Sequence, residues 1–270
     1  MSSTLGKSNY SAVPGDICIY IAHLHNSGIR SDTIRGHLAA ISFHYKNKDI
    51  NTPTESFRIS KILTAYAKSD PPKKVRKPIT QHTLENLLKS LNARGYTAYD
   101  STMLKALFTV MYHGLLRIRE VTYSSKNKHQ LARSNITISK YTGKREITLT
   151  FNSFKYPKPG HKPMVISKQT KGICPVAAYA LYLKVRPSHP KAAFVSQDGS
   201  HLTAQYIRNT LRDLMASIDL LPSDYDTHSL RIGKATDMAC SGYTDTQIAM
   251  AVRWTSSAYK KYIKPQIIRI

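Results

Sequence analysis

The stretch Thr227-His228-Ser229-Leu230-Arg231-Ile232-Gly233 places a histidine and an arginine three residues apart at a predicted helix start. Nearer the C-terminus, Arg253-Trp254-Thr255-Ser256-Ser257-Ala258-Tyr259-Lys260-Lys261-Tyr262 supplies an indole donor, with a tyrosine eight residues after it. Upstream, Gly114-Leu115-Leu116-Arg117-Ile118-Arg119-Glu120-Val121 offers another arginine in an apolar, buried-looking setting. Two arginines, a histidine, an indole N–H and a phenol together suit attack on a phosphodiester.

Metal chemistry is not expected. The chain has no His-Glu-x-x-His, no paired Cys/His spacing and no run of carboxylates, and the eleven acids after residue 80 are scattered. A two-metal phosphodiesterase needs several carboxylates together. Transition-state charge must then fall on cationic side chains, and the fixed fork of a guanidinium suits that task.

The charge agrees with a polyanionic partner. Forty Lys and Arg stand against 16 Asp and Glu, for a net charge of +24 and a pI near 10.0. Residues 1–80 hold 12 basic and 5 acidic residues, and residues 81–270 hold 28 and 11, so both regions are expected to touch the polyanion. Cations that neutralise phosphates release condensed counterions, which makes nucleic acid the favoured partner over an anionic membrane surface. No apolar run approaches the ~18 residues of a spanning helix, and no secretory leader is expected. Cys18, Cys174 and Cys240 are odd in number and far apart. They read as small core residues in a reducing, intracellular compartment.

The elements that must position the chemistry follow from periodicity. Three helices are predicted at residues 15–27, 32–46 and 56–68, with Asp32 the expected cap of the second and Gly28 the stop of the first. Ser69-Asp70-Pro71-Pro72-Lys73-Lys74-Val75-Arg76-Lys77-Pro78 is the clearest boundary, a basic proline-rich linker at 68–78 expected to lie on DNA. A helix capped by Thr80 runs to Leu91, and another covers residues 102–113. Residues 134–151 alternate as strands do, with a turn at Tyr141-Thr142-Gly143-Lys144, and a third strand is expected at 164–166. Helices follow at 176–185, 204–217, 228–240 (beside the cap Thr227 and stopped by Gly242), 245–252 and 256–263. The fold class is mainly α with a small antiparallel β-sheet (α+β). The domains are 1–75, all helical, and 76–270, which carries the chemistry.

Each chemical residue alone has a commonplace reading as core, cap or surface, and their joint order is what carries the argument. That order resembles the tyrosine recombinases, the phage-integrase family, over essentially the whole chain. Leu116-Arg117-Ile118-Arg119-Glu120-Val121 matches the first arginine motif, and His228 and Arg231 match the His-x-x-Arg block. Trp254 stands at the His/Trp position and Tyr262 at the nucleophile. The wording Arg-Trp-x-Ser-x-Ala-Tyr-x-x-Tyr-Ile is most similar to the eukaryotic mobile-element branch, the DIRS-like elements and Cryptons.

The resemblance implies an N-terminal core-binding (SAM-like) DNA-binding domain at 1–75 and a catalytic domain at 76–270. It implies that Tyr262, rather than Tyr259, forms a 3′-phosphotyrosine, that Arg117 and Arg231 clamp the phosphate, and that His228 assists proton transfer. Trp254 donates to the phosphate or packs on the tyrosine helix, and Glu120 supports the cations. The lysine that protonates the leaving 5′-oxygen sits on a β-hairpin; Lys155 is the best match, with Lys158 and Lys162 as rivals. No metal, nucleotide or other cofactor is implied. The implied partners are double-stranded DNA with specific recombination sites and three further copies in a homo-tetramer, in the nucleus if the source is a eukaryotic mobile element. Eight residues follow Tyr262, and among them Ile267, Ile268 and Ile270 can dock on a neighbouring protomer. Arg35, His37, Lys73, Lys74, Arg76 and Lys77 are the expected DNA contacts, with Lys46 beside them on the second helix. His113 and His161 are read as structural or backbone-contacting. A type IB topoisomerase-like enzyme and a domesticated, non-catalytic DNA-binding protein remain as alternatives.

Overall fold

The computed structural model describes residues 12–73, 75–123, 130–141, 143–151, 163–189 and 191–252. Trp254, Tyr259, Tyr262, Lys155, Lys158, Lys162, Lys74 and His161 lie outside the described residues, as does the helix expected at 256–263. The chain divides into two compact units, Met1–Lys73 and Lys74–Ile270.

The first unit holds helices α1 (Pro14–Asn26), α2 (Ser31–Lys46) and α3 (Phe57–Ser69). Ile17, Ile21, Ile34, Leu38, Ile59 and Leu63 meet in its core. Each such side chain contributes roughly 1.5–3 kcal/mol on burial. Gly28, at φ 78, turns the chain out of α1 as expected. Asp32 does not cap α2. The helix begins one residue earlier, and its first N–H, from Ser31, donates to the Asp70 carboxylate at 3.1 and 3.2 Å. The acceptor comes from the far end of α3, 39 residues on, where local spacing gives no sign of it. Asp32, inside the first turn, pairs with Lys73 instead.

The second unit begins with α4 (Gln81–Ser90), capped by the Thr80 hydroxyl as expected. α5 (Ala98–His113) is the central helix, buried on almost every side between later elements. It starts a turn earlier than its apolar pattern shows, because its first turn is polar and is held by Thr97 and Asp100. The short α6 (Ile118–Val121) follows. Then β1 (Ile136–Tyr141), β2 (Lys144–Leu149) and β3 (Met164–Ser167) form an antiparallel sheet in the order β1-β2-β3. The register sets Ile138 opposite Ile147 and Ile147 opposite Ile166, so one face is aliphatic and meets the core around α5. α7 (Pro175–Val185), α8 (Ala204–Ala216), α9 (His228–Cys240) and α10 (Asp245–Val252) complete the unit. The fold is mostly helical with a small antiparallel sheet, the class read from the sequence.

The cysteines correct one expectation. Cys18 and Cys174 are half-buried, but Cys240 is exposed at the last position of α9 and is no core residue. No described helix is long and apolar enough to cross a membrane. Among the described residues, no group of three or more His, Cys, Asp or Glu side chains could hold a metal ion.

Candidate active site

Arg117 is delivered by the corner that ends α5. Leu116 N–H donates to the Met111 carbonyl at 2.9 Å and Leu115 N–H to that of Tyr112 at 3.2 Å, the paired bonds of a Schellman stop. The left-handed position in that motif usually belongs to glycine. Here Leu115 takes it, at φ 47, while the neighbouring Gly114 has an ordinary φ of −85. Gly114 is needed for space. A Cβ there would stand 2.7 Å from the Val110 carbonyl oxygen, 3.0 Å from Leu149 and 3.2 Å from Ile166. The corner therefore lies tight against the sheet. Leu115 accepts its unfavourable backbone, worth roughly 1–2 kcal/mol, because its side chain packs with Ala235, Met238 and Ile248.

The corner leaves Arg117 at the cap position of α6. Glu120, only 6% exposed, accepts from the Arg117 backbone N–H at 2.7 Å and stands 3.5 Å from the guanidinium Nη1. One carboxylate thus satisfies the helix start and orients the side chain above it. Arg117 itself is not buried as its setting suggested. Its side chain is 36% exposed, open to a ligand from solvent.

α9 supplies the other two groups. Thr227 does not cap it through its hydroxyl. Its backbone is already helical, and Asp226 does the holding instead: Oδ1 accepts from Thr227 N–H at 2.6 Å and the Asp226 carbonyl from Ser229 N–H at 2.8 Å. His228 opens the helix and Arg231 lies on the next turn of the same face. Arg231 is fully buried, and its Nη1 donates to the carbonyl of Leu115. The guanidinium of one arm therefore grips the strained residue of the other.

The contact of Arg231 with the Leu115 carbonyl joins α9 to the Arg117 corner, and the electrostatics agree. Burial first, then the Arg231 and Arg117 cations, pushes the His228 imidazole down to about 4, with Asp226 opposing. Both arginines act on one ring, which is neutral at pH 7. An anion seated between the cations would offset their share of the depression and make the ring a better proton acceptor, while the larger share due to burial would stay.

Behind α9 lies a polar network that sequence reasoning missed. The Tyr112 hydroxyl donates to Asp237, and Lys234 Nζ sits 5.5 Å over the Tyr112 ring. Burial lowers the Lys234 pKa, while burial and then Lys234 push His113 down to about 3. His113, read as structural or backbone-contacting, is packed edge-on against Tyr112. No sequence spacing links these residues, which come from two distant helices.

The expected DNA contacts are placed differently from one another. Arg35 and His37 are exposed on α2, where His37 Nδ1 shares a hydrogen bond of 2.8 Å with Tyr20. Lys46 pairs with Glu55 at 2.5 Å and Lys73 with Asp32. Arg76 and Lys77 face acids within their own unit. Lys77 Nζ is 2.9 Å from Asp224, and Arg76 Nη2 is 3.9 Å from Asp226.

Comparison with known proteins bears on the fold and the family. The chain resembles the Tn1549 transposon integrase in complex with transposon right end DNA, at 17% identity and a TM-score of 0.62, over 97% of this chain and 84% of that one. It resembles XerH site-specific recombinase bound to palindromic difH substrate, at 16% identity and a TM-score of 0.62, over 94% and 67%. It also resembles a lambda integrase dimer bound to a COC′ core site, at 10% identity and a TM-score of 0.57, over 96% and 66%. At such identities the likeness speaks for the fold. No curated protein matches in sequence. The model of the phage integrase family matches residues 77–266, which take in the whole second unit but its edges, and this chain belongs to that family, the tyrosine recombinases.

Proposed function

We propose that this protein is a site-specific DNA recombinase that cuts and rejoins double-stranded DNA through a 3′-phosphotyrosine. The Tyr262 oxygen attacks the scissile phosphorus, and the bond to the 5′-oxygen breaks. Lys155, between β2 and β3 in the sequence, gives that oxygen a proton, and His228 assists the transfer. Arg117 and Arg231 hold the non-bridging oxygens, with Glu120 beneath Arg117 and the indole N–H of Trp254 as a further donor. The phosphotyrosine stores the bond energy, so rejoining needs no nucleotide cofactor. The observation that carries this reading is the packing of α9 on the Arg117 corner, where Arg231 Nη1 donates to the carbonyl of Leu115, two residues before Arg117, and the lowered His228 pKa agrees with it.

The finer reading goes with it. Residues 1–75 act as the core-binding domain and 76–270 as the catalytic domain. Four copies assemble on paired sites, two cutting while two wait. The role is integration or excision of a mobile element, of the DIRS-like or Crypton kind, acting in a nucleus. The DNA-bound relatives and the net charge of +24 support a duplex partner.

A nicked suicide duplex carrying the inverted repeats that flank the gene tests the mechanism. The expected result is a covalent adduct that Tyr262→Phe abolishes and Tyr259→Phe keeps. Loss in the Tyr259 variant alone moves the nucleophile. Relaxation of supercoiled plasmid by lone protomers, without synapsis, replaces the recombinase with a topoisomerase-like enzyme.

A further inference from the structure

Residues 76–81 run from the end of the basic linker to the start of α4, and they are bonded along their length to the segment that carries His228 and Arg231. Arg76 Nη1 donates to the Ser223 carbonyl at 2.7 Å. Lys77 N–H donates to the Asp224 carbonyl at 2.9 Å while its Nζ meets the Asp224 carboxylate. Two residues on, Ile79 N–H donates to the Ser229 carbonyl at 3.0 Å. Two further on, Gln81 N–H donates to Asp237 Oδ2 at 2.8 Å. The alternation is that of an extended chain whose every second N–H faces one neighbour.

The chain crosses α9 at Gly233, so closely that a Cβ there would stand 1.7 Å from the Ile79 carbonyl oxygen and 2.3 Å from its carbon. Both obstacles are backbone, so neither can rotate away. Pro78 and Ile79 are buried under this crossing. The acids at the start of the run lie just ahead of the site, since Asp226 holds the N–H of Thr227, the residue before His228.

We propose that residues 76–81 form a strap that fixes α9 against the Arg117 corner, and that Arg76 and Lys77 are positioning residues acting through Asp226 and Asp224, not phosphate contacts. The proposal rests on the strand-transfer reading above. Half-exposed ion pairs contribute little to stability; what this pair supplies is placement. A cation already facing a carboxylate is also a poor source of counterion release. A catalytic group misplaced by about 1 Å can slow chemistry by roughly a hundredfold, so even a modest loosening should be visible in rate.

The test uses the full chain on the nicked duplex, with the first-order rate of adduct formation at saturation measured apart from Kd and its salt dependence. Lys77→Ala and Asp224→Ala are each expected to slow adduct formation about tenfold, within the range set by small misplacements, with Kd unchanged. The charge-swapped pair Lys77→Asp with Asp224→Lys restores most of the rate. A phosphate contact predicts the opposite pattern. Lys77→Ala then weakens Kd and lowers the salt slope by about one, the rate holds, and Asp224→Ala tightens binding by freeing Lys77. That pattern overturns the strap. A readout independent of activity is the His228 imidazole followed by NMR, faced by Arg231, Arg117 and Asp226. Gly233→Ala and Asp224→Ala are expected to hydrate it and move its titration upward, and a ring unmoved in Asp224→Ala sinks the strap. Absence of adduct from the unaltered chain, with the imidazole still responding, sinks the strand-transfer reading and leaves the strap standing.

Discussion

The α5–α6 corner and helix α9 each bring one arginine to the site, and they do so by opposite means. The corner works by turning. A strained Leu115 and a cap from Glu120 place Arg117 at the surface, with over a third of its side chain open. α9 works by burial, and Arg231 is enclosed completely. Enclosing a guanidinium costs several kcal/mol before its contacts are counted, so the surrounding packing must offset that cost. The difference suggests a division of labour. Arg117 can meet an incoming phosphate, whereas Arg231 is fixed in advance and also braces the corner through the Leu115 carbonyl.

The largest expected effect separates the two arms. Arg117→Ala and Arg231→Ala should each slow adduct formation by about 10²–10³, the usual cost of a lost transition-state donor. Only Arg231→Ala should also unfold easily, losing roughly 2–4 kcal/mol as a buried carbonyl loses its donor and a large cavity opens. Calorimetry of both variants decides the matter. Equal melting temperatures would mean that Arg231 does not brace the corner.

Next in size is Gly114→Ala. The Leu149 and Ile166 side chains can yield a little, but the Val110 carbonyl cannot, so a loss of about 1–3 kcal/mol is expected from overpacking. Leu115→Gly is smaller and tests the strain directly. Relieving the left-handed backbone returns roughly 1–2 kcal/mol, while removing a buried leucine side chain costs roughly 1.5–3, for a net loss of about 1. A stabilised Leu115→Gly would show that the contact with Ala235, Met238 and Ile248 is slack.

How much of this could be read beforehand depends on sequence distance. The His228/Arg231 pair, Glu120 beneath Arg117 and the alternation of β1 and β2 are local patterns, and they were legible. The glycine at 114 was visible too, but not its reason. It serves a sheet that arrives later in the chain, and the residue in the glycine conformation is its neighbour Leu115. The cap of α2 came from Asp70 rather than Asp32, because backbone donors take whichever carboxylate the fold delivers. Arg76 and Lys77 read as DNA contacts for the same reason, since the acids they face lie nearly 150 residues away. The exposure of Arg117 and the complete enclosure of Arg231 were illegible, as neighbouring residues in both motifs are equally apolar.

The smallest effect sharpens the comparison through the ring between the arms. Burial, then nearby cations, pushes His228 down to about 4 and His113 down to about 3, both below the ordinary 6.5. Between about pH 6.5 and 4 the unfolded chain binds protons that these two half-buried rings refuse. Stability must therefore fall as pH falls through that window, by up to about 1.4 kcal/mol per pH unit for each ring. His113→Gln should remove about half of that slope while leaving the site's chemistry in place. Within the site, Arg231 depresses His228 more than Arg117 does. Arg117→Gln should then raise the His228 titration by less than Arg231→Gln, which also admits water. Following the imidazole proton shift against pH in both variants measures each arm's reach. If Arg117→Gln leaves the ring unmoved, the exposed arginine stands too far off to share a phosphate with Arg231, and the two arms do not form one site.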